Sequence, residues 1–229
     1  MDQGSPSRGE LISVAVHDGL RVSARLQLPP AARACYVLAH GAGSGMDHPF
    51  MSAVAAELAE RAVATLRYQF PYMEQRLRRP DPPPVCHATV RAAVAECAHL
   101  APGLPLIAGG RSFGGRMTSQ AQALAALPGV RGLAFLGFPL HPAGRPSDTR
   151  AEHLARVQIP MLFLQGTRDA LAERSLLEAL ITRHGPRASV CWLDEADHSF
   201  HVAARSGRNE AQVRSTLCAA LCTWMEGLP

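Results

Sequence analysis

Leu104-Pro105-Leu106-Ile107-Ala108-Gly109-Gly110-Arg111-Ser112-Phe113-Gly114-Gly115-Arg116 is the stretch from which the rest of the chain is read. Residues 104–108 form a short apolar run and read as a buried strand, and residues 112–127 read as a helix. Between them stands G-x-S-x-G, at Gly110, Ser112 and Gly114. On a strand-to-helix turn this pattern has a mechanical meaning. The serine is forced into a strained backbone conformation, and glycines two before and two after leave room for the turn to pack. Its oxygen is lifted above the sheet at a helix N-terminus, where the dipole favours negative charge. The plainer alternative is an ordinary turn with Ser112 as a helix cap. What separates the two is whether a base and an acid follow where such a serine needs them.

Outward from this turn the chain alternates short apolar runs with amphipathic stretches. Residues 11–16 and 20–28 flank Asp18-Gly19, a hairpin signal. Strands are expected at residues 35–39, 63–67, 130–138, 160–165 and 189–193. Helices are expected at residues 48–61, 86–100, 171–184 and 209–227. Two Pro-rich knots, residues 80–84 and 139–146, read as loops. A hairpin followed by strands alternating with helices specifies an α/β class, a mostly parallel sheet with helices on both faces. Ligands of such sheets bind beyond the carboxyl ends of the strands. Only about twenty residues separate the strands at Val130 and Pro160, so any lid is minimal.

A serine hydroxyl is a weak nucleophile until a base takes its proton. On this topology the order is serine, acid, histidine. The run Met161-Leu162-Phe163-Leu164-Gln165-Gly166 leads to Asp169, and Val190-Cys191-Trp192-Leu193 leads to His198. Asp194, Glu195 and Asp197 share the histidine's own loop and read as turn formers, with Asp194 the reserve acid. His201 lies farther into that loop, and no third ligand accompanies a His198–His201 metal pair, so no metal is expected. His17, His87, His99, His153 and His184 read as surface residues.

After residues 35–39 comes His40-Gly41-Ala42-Gly43-Ser44-Gly45. A dinucleotide fingerprint would need a glycine where Met46 stands and an acid where Arg67 ends the next strand. A loop presenting a backbone N–H to an oxyanion fits better, with Ala42 as one donor and Phe113, after the nucleophile, as the other. Two further strand exits face the same side. One carries Arg67, Phe70 and Tyr72, the other Phe138, Leu140 and His141. They read equally well as an apolar substrate pocket with polar contacts or as ordinary loop packing.

Composition narrows the classes. The 229 residues suit one large domain over residues 1–229, with residues 1–9 expected to be disordered. All 23 basic residues are Arg. Without Lys no phosphate loop ending in Gly-Lys can form, and the Arg residues are scattered, so neither a Walker-type nucleotide site nor a nucleic-acid footprint is expected. Six cysteines show no zinc spacing and read as reduced thiols. No apolar run approaches a membrane span, and residues 1–9 lack the apolar core of a signal peptide, which points to a cytoplasmic protein with no membrane partner.

Taken together, His40-Gly41-Ala42-Gly43, the Arg67 to Tyr72 segment, Gly110-Arg111-Ser112-Phe113-Gly114-Gly115-Arg116, Phe138-Pro139-Leu140, Gly166-Thr167-Arg168-Asp169 and Ala196-Asp197-His198-Ser199-Phe200 resemble one branch of the α/β-hydrolases. This is the bacterial branch akin to the testis-expressed hydrolase-like proteins and to a regulatory subunit of a histone-acetyltransferase complex. More distantly the chain looks like dienelactone hydrolases, which use Cys where Ser112 stands. The resemblance implies an eight-stranded α/β-hydrolase sheet and a Ser112–Asp169–His198 triad. The resulting expectation is a serine hydrolase acting on a small-molecule acyl substrate, a small or medium ester or thioester, with no cofactor. A hydrolase-fold interaction protein and an acyltransferase are the alternatives, and oligomeric state is not legible.

Overall fold

The computed structural model describes residues 9–17 and 19–228. Residues 1–8, which hold most of the expected disordered segment, and Asp18 of the hairpin turn lie outside the described residues. Gly9 itself packs against the Leu26 backbone.

Strands β1 (Glu10–His17) and β2 (Leu20–Gln27) form the hairpin. The remaining strands are β3 (Ala34–Ala39), β4 (Val63–Tyr68), β5 (Leu106–Arg111), β6 (Val130–Leu136), β7 (Met161–Gly166) and β8 (Ala188–Leu193). All eight join one sheet in the order β1-β2-β4-β3-β5-β6-β7-β8. The β1–β2 and β2–β4 pairs are antiparallel, and every pair from β4 through β3 to β8 is parallel. This is the α/β-hydrolase fold. The helices are α1 (Pro49–Glu60), α2 (Pro71–Glu74), α3 (Pro83–Leu100), α4 (Phe113–Leu124), α5 (Arg174–His184) and α6 (Glu210–Glu226).

Parallel strands buried on both faces need two cores, and two are present. On one face, Val90 and Val94 of α3, Met117 of α4 and Leu177 of α5 pack with Phe135 and Phe163. On the other, Met51 and Leu58 of α1 and Leu217 and Leu221 of α6 pack with Ile107 and Leu164. The buried runs that look featureless in the sequence are strands filling both layers at once.

Several boundaries differ from the sequence expectation for identifiable reasons. Helix α3 begins at Pro83, inside the segment expected to be a loop, because a first-turn position needs no N–H donor and the fixed proline φ is already helical. Strand β5 does not stop at Ala108 but continues through Gly109 and Gly110, held by β3 on one side and β6 on the other. Helix α5 starts at Arg174 and not at Leu171, because the Leu171 amide donates to Asp169 Oδ1 at 2.7 Å instead of entering a helix. The β6–β7 connection carries a 3-10 helix (Thr149–Arg156), whose Ala151 and Leu154 are buried. His153 Nε2 lies 2.7 Å from Ser119 Oγ of α4, which ties this connection to the flank of α4. His153 and His87, the latter paired with Gln120, are therefore half-buried packing residues and not the surface residues expected.

All six cysteines are free; Cys35 and Cys97 Sγ lie 3.1 Å apart, and Cys191 is half-buried on the edge strand β8. Among the described residues no helix is long and apolar enough to cross a membrane.

Candidate active site

Ser112 stands between β5 and α4 with φ 48° and ψ −113°, a conformation an L-residue holds only when its surroundings enforce it. Two contacts enforce it. The Ser112 N–H donates to Leu136 O at 3.0 Å, pinning the turn to β6. On the opposite side the turn presses against the end of β3. A Cβ at Gly110 would lie 2.4 Å from Ala39 O, and one at Gly114 would lie 2.5 Å from His40 O. Only glycine at both positions lets the elbow approach β3 so closely.

His198 follows β8, and Asp169 follows β7. The β7–β8 pairing sets these two loops side by side. His198 Nε2 is 2.8 Å from Ser112 Oγ, and His198 Nδ1 is 2.7 Å from Asp169 Oδ2. The Asp169 carboxylate can only accept, so Nδ1 carries the imidazole proton and Nε2 is left to accept from the serine hydroxyl. The Asp169 side chain is fully buried, whereas that of His198 is 20% exposed. The carboxylate is thus withdrawn from water while the imidazole remains partly exposed. Two of the three rival acids do other work. Asp197 Oδ1 accepts from the Ser199 and His201 amides, and Glu195 pairs with Arg168 on the surface. His201 bonds Glu210.

Two buried residues that the sequence reading did not single out shape the site. Gln165, at the end of β7, donates to Asp169 Oδ2 and accepts from the Phe138 N–H at 2.8 Å, so it fixes the acid from below. His40, at the end of β3, accepts from the Phe70 N–H through Nε2 at 3.0 Å, and its Nδ1–H therefore donates to Gly41 O at 2.8 Å. It clamps the 40–45 loop to the exit of β4. A polar residue at the last position of an apolar strand was the available signal for both.

Burial holds the His40 imidazole neutral, with a pKa pushed down to about 4. The unfolded chain, with an ordinary histidine, binds the extra proton first. His40 therefore contributes stability that is fully present above pH ~6.5 and is lost as pH falls toward 4, on the order of 3 kcal/mol in all. His153, also pushed down to about 4 by burial and neighbouring arginines, adds in the same window. Denaturant midpoints measured at pH 7 and pH 4.5 should drop less in His40→Gln than in the wild type. An equal drop would remove His40 from the account.

Ala42 is exposed in the 40–45 loop, and Phe113 opens α4, where a first-turn N–H has no intrahelical acceptor. The loop is braced by Tyr72, whose hydroxyl accepts from the Gly43 N–H at 3.2 Å.

The expected pocket walls are elsewhere. Phe70, Tyr72, Phe138 and Leu140 are fully buried and Arg67 and His141 nearly so, so none of the six faces an open cleft. Phe70 and Tyr72 pack edge-on against His40 and Phe113, a layer beneath the 40–45 loop. Phe138 packs on Phe135 and Phe163 in the core. Arg67 donates to Met46 O and Ser52 Oγ. His141 Nε2 accepts from the Glu173 N–H. Ordinary packing therefore accounts for these six residues.

Residues 32–226 match the family model of the alpha/beta hydrolase domain. Among solved structures, the chain is similar to a serine hydrolase without lid from Xanthomonas campestris, with 19% identity, TM-score 0.73, and coverage of 100% of this chain and 99% of that one. It is similar to a dienelactone hydrolase from Anabaena variabilis, with 19% identity, TM-score 0.74, and coverage of 96% and 98%. It is also similar to the esterase domain of a Rhodothermus marinus protein, with 18% identity, TM-score 0.71, and coverage of 96% and 98%.

Proposed function

Because the chain belongs to the alpha/beta hydrolase domain family, we propose that it is a serine hydrolase that cleaves a small or medium carboxylic ester or thioester through an acyl-enzyme. The observation that carries this reading is the unbroken chain of short contacts from Ser112 Oγ through His198 to Asp169. A fold that needed only a turn here would have no use for a strained serine facing a partly exposed imidazole whose far nitrogen is held by a buried carboxylate.

In this reading Ser112 Oγ attacks the acyl carbonyl while His198 Nε2 takes its proton. The Asp169 carboxylate keeps the Nδ1–H tautomer and stabilises the imidazolium that forms. The N–H groups of Phe113 and Ala42 receive the oxyanion, and the α4 dipole adds to them. His198 then gives its proton to the leaving alcohol or thiol. A water deprotonated by the same nitrogen attacks the acyl-enzyme, and collapse of the second intermediate returns the proton to Ser112 and releases the acid. The resemblance of the motif set around Ser112, Asp169 and His198 supports a finer reading, in which the chain is akin to the testis-expressed hydrolase-like branch of its family. Six free thiols suit a reducing, cytoplasmic compartment.

The test is labelling with a fluorophosphonate probe, which reports an activated serine whatever the natural substrate, followed by mass mapping of the adduct. A single adduct on Ser112 is expected. A folded chain that stays unlabelled would transfer the lead to a non-catalytic interaction protein.

A further inference from the structure

A cavity of about 330 Å³ opens between the starts of α1 and α6, bounded among others by Arg111, Ser199, Phe50, Phe200 and Arg214. Two of its walls are chain neighbours of the reacting groups: Arg111 precedes Ser112, and Ser199 follows His198. We infer that this cavity is an anion subsite in which the Arg111 guanidinium receives a carboxylate carried by the substrate, so that the substrates are half-esters or half-thioesters of short dicarboxylic acids. The inference rests on the serine-hydrolase reading.

Arg111 is a cation held in a prepared place without an ion-pair partner among the described residues. Arg111 donates to Ser199 Oγ at 3.2 Å, and its guanidinium lies 5.2 Å from the centroid of the Phe50 ring, which in turn stacks on Phe200. A ring face and a hydroxyl hold the cation in place without neutralising it. Among the described residues Arg111 enters no ion pair. The other cationic groups of the cavity are matched: Arg214 with Glu57, and His201 with Glu210. Asp197 acts on Arg111 only at longer range, with Oδ1 committed to the Ser199 and His201 amides. His48 is turned to its own helix, its Nδ1 accepting from the Phe50 N–H. Burial lowers the Arg111 pKa, and Asp197 offsets part of that shift, so the cation is short of solvent.

Location supports a substrate and not a structural anion. The Arg111 stem runs under the oxyanion loop, since a Cβ at Gly41 would lie 3.8 Å from Arg111 Cδ. The guanidinium thus sits between the 40–45 loop and the His198 loop, the two loops that meet the acyl group in the hydrolase reading. A planar fork in that position matches a carboxylate in geometry as well as charge. A phosphate at the same spot shares the chemistry, and phosphate-bearing esters are a second arm of the test.

The experiment compares kcat/KM for monomethyl and dimethyl glutarate in wild type, Arg111→Gln and Arg111→Lys, with an acyl phosphoester of similar length alongside. The monomethyl-to-dimethyl ratio is expected to fall about tenfold or more in Arg111→Gln and to be partly restored in Arg111→Lys. If Arg111 only positioned the base loop through Ser199, both esters would slow together and the ratio would stay put, which overturns the subsite. So does a wild-type ratio below one, and a ratio favouring only the phosphoester overturns the carboxylate assignment. If wild type hydrolyses neither ester, fluorophosphonate labelling judges the hydrolase reading, and binding judges the subsite. Calorimetry should show monomethyl glutarate binding Ser112→Ala about tenfold or more tightly than Arg111→Gln/Ser112→Ala, and equal affinity overturns it.

Discussion

Replacing Ser112 by Ala should lower kcat on an accepted ester by about 10⁶-fold, with His198→Ala costing nearly as much and the double variant no more than either. The non-additivity follows from the geometry. His198 Nε2 and Ser112 Oγ share one hydrogen bond, and among the described residues no other side-chain base bonds that oxygen. Removing either partner removes the same event, the transfer of the hydroxyl proton as the carbonyl is attacked. The fold should be indifferent to Ser112→Ala, because the strained turn is enforced by the Ser112 N–H bond to Leu136 and by the glycine contacts with β3, none of which uses the hydroxyl. The measurement is steady-state turnover of the purified variants, with melting temperature as the control for folding. A loss smaller than about tenfold at unchanged melting temperature would mean that Ser112 is a helix-start residue and no nucleophile.

Asp169→Asn should lower kcat by about 10⁴-fold while leaving the site nearly isosteric. The reason lies in which atoms face Asp169. Oδ1 accepts from the Leu171 N–H, and Oδ2 accepts from Gln165 and from His198 Nδ1. Every position around this carboxylate calls for an acceptor. An amide nitrogen placed at Oδ1 meets the Leu171 donor. Placed at Oδ2 it meets the Gln165 donor and forces His198 Nδ1 to accept, which moves the imidazole proton to Nε2 and turns it toward Ser112. In that tautomer the histidine cannot take the serine proton. The check is kcat for Asp169→Asn beside Asp169→Ala, with imidazole N–H resonances read by NMR. Retention of more than a tenth of wild-type kcat would show that another acid, Asp194 among the candidates, orients the base.

Much of this arrangement is legible in the chain because it depends on local rules. The hairpin around Gly19, the alternation of apolar strands with amphipathic helices, and the glycines on either side of Ser112 are each local in origin. So is the rule that an acid and a histidine must sit just past two later strands. What the reading could not reach are the residues whose meaning comes from neighbours far along the chain. Gln165 and His40 look like isolated polar residues in apolar runs until β7 lies beside Asp169 and β3 beside Phe70. Arg111 is an unassigned letter inside the elbow motif until the His198 loop brings Ser199 to it. The aromatic strand exits show the converse error. Their concentration near one end of the sheet suggests a pocket, but whether a side chain points up into the cleft or back into the layer is set by how each strand exit turns, and Phe70, Tyr72 and Phe138 turn inward.

The sequence by itself therefore determined the sheet, the strained turn at Ser112 and the order of serine, acid and histidine. Periodicity, glycine placement and strand-end position are written residue by residue, and steric rules act over a few residues at a time. Only the tertiary structure decided which polar groups hold that machinery, which aromatic residues are core, and which buried cation enters no ion pair among the described residues. Hydrogen-bond satisfaction and burial are properties of the packed assembly, in which each group is judged by atoms that the chain brings together from many positions away.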